Sequence, residues 1–377
     1  MDYPYIIHPE FQPGRRIIAV SDIHGNLPFF NALMEKIHLT KEDYLVLVGD
    51  LFEKGPDSLA FYRQLRAMEK EYPNLYILSG NCDDLVSRFY LTDALDNTFY
   101  RSYLPRHPES ILRQMAREGG FDQVEDFPKL RRDLISAYPE VRDWIHNLPT
   151  ILETEHLLFV HGGVPGREGM EYLDRWKCMK NDDFLGQGYS FDKWVIVGHW
   201  PVTLYDPHIP GAAPLMKYDR KIASIDGGCV LKWDGQLNAL MLPSEESTDF
   251  SWAAYDGLET YVALDDQEEG PDDPINIRWG RAFLEKLEDG DEVSLCRHLE
   301  SGRVLPILNH YIFDSPKGLW CEDSTDYRLP MKAGDRVHVV AMTQRHGALC
   351  KRKGVTGWYF GRLVPLEIYN DKEHTHA

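Results

Sequence analysis

The chain has 377 residues, room for two domains of ordinary size and enough to bury a core without disulfides. Hydrophobic residues make up 43% and charged residues 27%, which excludes wholesale disorder. Lys and Arg number 41 against 60 Asp and Glu, and the resulting formal charge of −19 opposes non-specific nucleic-acid binding. No window approaches the roughly 20 apolar residues of a membrane helix. The opening MDYPYIIHPEFQPGRR has no basic stretch followed by an apolar core, so no signal peptide is read there. Cysteines at 82, 178, 229, 296, 321 and 350 are widely spaced with no CxxC pair, as expected of reduced thiols in a cytoplasmic protein. The expected partners therefore include no nucleic acid and no membrane.

Taken in chain order, the apolar run Arg16–Ser21 stops at Asp22-Ile23-His24-Gly25-Asn26, and Leu27, Phe30, Leu33, Met34 and Ile37 then follow at helical spacing. A second run ends in Gly49-Asp50, and an amphipathic stretch from Asp57 to about Lys70 follows it. Leu75–Ser79 reads as a third strand and ends in Gly80-Asn81-Cys82-Asp83. This β-α-β-α-β order predicts a mostly parallel sheet with helices on its faces and ligands at the carboxyl ends of the strands. Residues 84–150 read mainly as helices. Strands at 157–160, 194–197 and 222–225 precede His161, Gly198-His199 and Asp226-Gly-Gly, and 237–242 reads as a closing strand. Pro243–Asp249 reads as a linker. Beyond it, Gly290–Cys296 and Gly334–Val340 echo each other as a turn followed by a strand of period two, predicting two small β modules.

Asp22, His24, Asp50, Asn81, His161 and His199 all stand just after apolar runs, and every one is an oxygen or imidazole donor. A parallel sheet would carry them to one edge and build a site for two divalent cations, with Asp50 the candidate shared ligand. Two cations roughly 3.5–4 Å apart lower the pKa of a bridging water and neutralise phosphoryl oxygens, so the donor set points to phosphate-ester hydrolysis.

Asp22-Ile-His24-Gly25, Gly49-Asp50-Leu-Phe-Glu-Lys54-Gly55-Pro56, Gly80-Asn81-Cys82-Asp83, His161-Gly-Gly and Gly198-His199 resemble the signature of the calcineurin-like metallophosphoesterases. The Gly-Asp-x-x-x-x-Gly element is most similar to the phosphoprotein phosphatase branch, which includes bacterial serine/threonine phosphatases and diadenosine tetraphosphatases. The resemblance spans about residues 16–242. It implies a four-layer α/β sandwich of two central mixed sheets flanked by helices. It also implies one metal on Asp22, His24 and Asp50, and a second on Asp50, Asn81, His161 and His199, with Mn²⁺ first and Fe or Zn as alternatives. Two departures stand out. Lys54 replaces the family's Arg, giving a point charge in place of a bidentate fork. Cys82 replaces the His that protonates the leaving group, and a thiol is a poor match for that role. Asp83 would orient the proton delivery. The family's second phosphate-binding Arg falls in an interval holding Arg175, Lys177 and Lys180; Arg175 and Lys180 are the candidates.

The expected function is hydrolysis of phosphomonoesters such as phosphoserine and phosphothreonine in proteins, with Asp50, Asn81, Cys82 and Asp83 at the reacting centre. Cleavage of a dinucleoside polyphosphate or phosphodiester is the alternative, and a non-catalytic scaffold retaining a metal site is the alternative of another class. The expected division is a catalytic domain over 1–243, a small β-rich module over 250–325, and a β-barrel module over 326–377. Ala348–Tyr359, with a loop glycine followed by Gly357-Trp358, resembles the ending of a bacterial SH3-like domain, which implies a peptide or protein partner. The Lys351-Arg-Lys353 cluster reads as an exposed β-loop.

Overall fold

A computed structural model of the chain describes residues 2–91, 97–123 and 125–374. It divides into two compact units. The first comprises Met1–Pro201, Pro214–Leu231 and Leu237–Tyr255; the second comprises Val202–Ala213, Lys232–Gln236 and Asp256–Ala377.

The first unit is built on two mixed sheets. One contains β1 (Ile6–Ile7), β5 (Ile151–Glu153), β6 (Leu157–Val160), β7 (Trp194–Val197), β9 (Ile222–Ser224) and β8 (Leu215–Lys217), in that order. The other runs β11 (Ser251–Tyr255), β10 (Leu237–Leu242), β2 (Ile17–Val20), β3 (Tyr44–Val48) and β4 (Leu75–Leu78). Strands β2, β3 and β4 are parallel, and so are β6, β7 and β9. The strands carry no polar face because both of their faces are covered. In β2, Ile17 and Ala19 join Val46, Phe159, Ile196 and Ala223 in a core shared by the two sheets. Ile18 and Val20 point the other way, into a core with Phe30, Leu33, Phe61 and Leu65. Those four come from α1 (Leu27–Lys36) and α2 (Ser58–Glu71). Helices α3 (Asn81–Leu91), α4 (Asn97–Arg106), α5 (Ile111–Glu118), α6 (Phe127–Ala137) and α7 (Pro139–His146) fill the interval between β4 and β5, and the short α8 (Arg175–Met179) lies between β6 and β7.

The segment read as a linker leads into β11, which pairs back onto β10 and extends the sheet to Tyr255. In the second unit a five-stranded antiparallel sheet runs Val355–Tyr359, Ala348–Arg352, Arg336–Met342, Glu259–Ala263 and Leu363–Pro365. This sheet crosses the expected boundary between 250–325 and 326–377. Val293–His298 is the middle strand of a separate three-stranded sheet, so each echoing segment centres its own sheet. Lys351 is not exposed as the basic loop reading had it: it is buried, and its Nζ donates to the Asp234 carbonyl at 2.5 Å. No helix among the described residues is long and apolar enough to cross a membrane.

Candidate active site

The carboxyl ends of six strands, three from each central sheet, supply the cluster. Backbone bonds tie the first two loops together: Asp22 N–H donates to the Gly49 carbonyl at 3.1 Å and His24 N–H to the Asp50 carbonyl at 3.0 Å. The Cys82 N–H donates to Asp50 Oδ1 at 2.8 Å, and the His199 N–H to Asp22 Oδ2 at 3.0 Å. Such close approach requires glycine. A methyl group at Gly80 would stand 2.2 Å from Asp50 Oδ1, and one at Gly198 would stand 2.3 Å from Asp22 Oδ2. Asp22, His24, Asp50, Glu53, Lys54 and His199 are six of the eleven non-glycine residues with positive φ among those described. Each left-handed conformation costs of the order of 1–3 kcal/mol, so the surrounding structure holds considerable strain at this one edge.

His161 and His24 are each held through Nδ1 and turn Nε2 toward the carboxylates. His161 Nδ1 meets the Val48 carbonyl at 2.8 Å, placing Nε2 3.3 Å from Asp50 Oδ1 and 3.3 Å from Asn81 Oδ1. His24 Nδ1 faces the Phe52 carbonyl at 3.4 Å, and its Nε2 lies 3.9 Å from both Asp22 Oδ1 and Asp50 Oδ2. His199 Nε2 meets Asp182 Oδ1 at 2.8 Å. Anchoring of this kind sets the tautomer and direction of a metal-ligating imidazole.

The charges fit a divalent cation. Burial lowers the His24 imidazole to about 3, with Lys54 adding to the effect, so His24 is neutral and offers a lone pair. Its Nε2 is buried with no hydrogen-bond partner, as is Asp226 Oδ2. Burial, followed by the nearby Asp22 carboxylate, pushes Asp226 well above the usual carboxyl range; burial also raises Asp22. Burial alone would raise Asp50 as well, but His161, His24 and Lys54 hold it well below that range. Burial works against a proton on His161, yet the Asp50 and Asp22 carboxylates outweigh it and raise the imidazole to about 10. A divalent cation would supply the positive charge that these carboxylates otherwise draw from that proton. Two donor groups have ligand atoms within 4.8 Å of one another: His24, Asp50 and Cys82, and Asp50, His161 and His199. Asp50 is common to both.

Lys54 is largely buried, and its ammonium has no hydrogen-bond or ion-pair partner among the described residues. Burial disfavours its charge, but the fields of Cys82, Asp50, Asp22 and Asp226 raise its pKa and keep it protonated. Lys180 also reaches the cluster, with Nζ 2.5 Å from Asp182 Oδ1 and 3.3 Å from His199 Nε2. Arg175 does not. It is buried beneath the loops, with Nη1 2.8 Å from Asp84 Oδ1 and Nε donating to Thr150 Oγ1 at 3.1 Å. Asp83 faces backbone: Oδ1 accepts from the Leu51 and Phe52 N–H groups at 3.0 and 3.2 Å, and Oδ2 from Gly80 at 2.8 Å. It braces the Asp50 loop against the Asn81 loop. Burial, and then the Asp50 carboxylate, push the Cys82 thiol well above its ordinary pKa.

Asp226 and Asp182 were not among the expected site residues. Asp226 ends a strand just as Asp22 and Asp50 do, so the signal was present in the sequence. Asp182 sits in a loop with no strand before it and is found only by its contact with His199.

The calcineurin-like phosphoesterase family model matches residues 15–226, more than half of the chain. The chain is 27% identical over 251 residues to the asymmetrical bis(5'-nucleosyl)-tetraphosphatase PrpE of Geobacillus thermodenitrificans, covering 60% of this chain and 90% of that protein. It is 25% identical over 285 residues to the symmetrical bis(5'-nucleosyl)-tetraphosphatase of Buchnera aphidicola subsp. Acyrthosiphon pisum, covering 62% and 96%. Among solved structures, a serine/threonine phosphatase of Saccharomyces cerevisiae superposes with a TM-score of 0.44 at 11% identity, covering 68% of this chain and 85% of that one. The chain therefore belongs to the calcineurin-like phosphoesterase family, and it is a hydrolase.

Proposed function

We propose that this protein hydrolyses phosphoanhydrides of the dinucleoside polyphosphate type, using two divalent cations. The proposed ligands are Asp22, His24 and Asp50 for one, and Asp50, Asn81, His161 and His199 for the other, with Mn²⁺ the first candidate and Fe or Zn the alternatives. Bound there, the cations would activate a water and neutralise phosphoryl charge. Lys54 lies deep among the carboxylates and Lys180 at the edge of the cluster, both placed to hold phosphoryl oxygens; Asn81 supplies an amide to the charge that develops.

The observation that carries the choice of substrate is Cys82. Its thiol is buried and stands where the family has a leaving-group His, and a thiol is a poorer proton donor for that role than an imidazolium. Asp83 turns its carboxylate oxygens to the backbone N–H groups of Leu51, Phe52 and Gly80, where it braces two loops and does not reach toward a leaving group. A departing serine or threonine alkoxide needs a proton in the transition state; a departing nucleotide phosphate is stable without one. The site thus suits anhydrides better than the phosphoprotein esters expected at first, and the relatives named as tetraphosphatases support the same reading. The test is a Mn²⁺-loaded panel of diadenosine tetraphosphate, a phosphoserine peptide and bis-p-nitrophenyl phosphate. The anhydride should have the highest kcat/KM; a phosphopeptide preferred over it would overturn the proposal.

We further propose that the C-terminal region, β-rich but ending in a helix over Leu366–His374, engages a peptide or protein partner, as its SH3-like Ala348–Tyr359 segment suggests. Pull-down with residues 256–377 deleted tests this, since the deletion should abolish partner capture.

A further inference from the structure

We propose that Phe99, backed by the Tyr103 ring, forms a stacking platform for a nucleobase of the substrate, an inference that rests on the dinucleoside polyphosphate reading above. Helix α4 has two unlike faces. Tyr100 is buried, its ring 5.2 Å from that of Phe89 and 5.9 Å from that of Phe127, and Leu104 is buried with it. Phe99, Tyr103 and His107 follow one another at i, i+4 and i+8 on the other face. Their rings form a ladder. Phe99 stacks on Tyr103 at 5.3 Å and 15°, and Tyr103 on His107 at 4.1 Å and 28°. Phe99 tops the ladder with 47% of its surface exposed, and the Tyr100 ring meets it edge to face at 5.0 Å and 88°.

The ladder is fastened to the phosphate site. The Tyr103 hydroxyl donates to Glu53 Oε2 at 2.6 Å, and Glu53 Oε1 accepts from Ser110 Oγ at 2.9 Å and from the Ile111 N–H at 3.0 Å. Glu53 is fully buried and immediately precedes Lys54, with both residues at positive φ. An exposed Phe99 ring, stacked on a Tyr103 ring that is itself hydrogen-bonded to the loop carrying Lys54, is suited to a substrate with an aromatic group joined to phosphates. Stacking on a π-face tolerates any base. The specificity expected is therefore for a nucleoside end group, with little choice among bases.

The experiment compares wild type, Phe99→Ala and Phe99→Trp, all Mn²⁺-loaded, on diadenosine tetraphosphate and on inorganic tripolyphosphate, which has no base. Phe99→Ala should raise KM for the dinucleotide about 5- to 100-fold with kcat little changed. It should leave tripolyphosphate kinetics unaltered, and Phe99→Trp should restore the dinucleotide KM. If wild type cleaves the dinucleotide and Phe99→Ala does so with unchanged KM, the platform is refuted while the functional reading stands. An equal KM increase for tripolyphosphate also refutes it. If wild type does not cleave the dinucleotide, both fall together.

Discussion

Replacing Lys54 with methionine tests the electrostatic design of the site most directly. The side chain keeps its reach along the buried path and loses only the charge. In the structure the fields of Asp50, Asp22 and Asp226 keep that ammonium charged although none of them forms an ion pair with it. Because its pKa is raised above an already high ordinary value, Lys54 is protonated throughout neutral and mildly alkaline pH and adds no step to a rate profile there. A single preorganised donor to a developing oxyanion in a water-excluded site contributes about 2.7–4 kcal/mol. Lys54→Met should therefore lower kcat/KM for diadenosine tetraphosphate about 10²- to 10³-fold. Lys54→Arg should stay within about 10-fold of wild type, because guanidinium keeps the charge and adds a second donor. The assay is release of nucleotide product, resolved by ion-exchange chromatography, on protein with verified metal content. A Lys54→Met enzyme with full metal content and kcat/KM within threefold of wild type would refute the role of this charge.

Asp182→Asn weakens the acceptor that orients His199, and metal affinity measured by chelator competition should fall about 10- to 100-fold. Arg175→Met breaks a buried pair with Asp84, which keeps Arg88 at 2.6 Å. Denaturant unfolding should show a loss of about 2–4 kcal/mol with KM unchanged, whereas a substrate-binding Arg175 would raise KM. Glu153 lies 2.9 Å from Lys193 and 2.7 Å from Arg167. Burial would raise its carboxyl, but these two cations hold it below the ordinary value, so its contribution is full above the unfolded pKa near 4.5 and fades as pH falls through the lower folded value. Glu153→Gln should then cost about 1–3 kcal/mol at pH 7. The melting-temperature gap from wild type should narrow below pH 4.

The strand ends were legible because the signal is local. In a parallel sheet the apolar run and the polar residue that follows it are fixed together, so Asp22, Asp50, Asn81, His161 and His199 could be assigned to one edge before any contact was known. Arg175 and Lys180 show where that logic stops. Both are cations in the same short interval, and only the position of Asp84 beneath one and of Asp182 beside the other separates a structural pair from a rim charge.

The order of runs and breaks along the chain by itself determined strands alternating with helices and the donors at the strand ends, because alternation and strand-end polarity depend on near neighbours; the pairing of two sheets was implied only by the family resemblance. Tertiary structure alone decided which imidazole nitrogen faces inward, that Asp83 braces backbone, that Lys351 is buried, and that Glu259–Ala263 shares a sheet with Arg336–Met342. Each of those outcomes depends on a partner tens to hundreds of residues away in the chain, and spacing along a sequence says nothing of such partners.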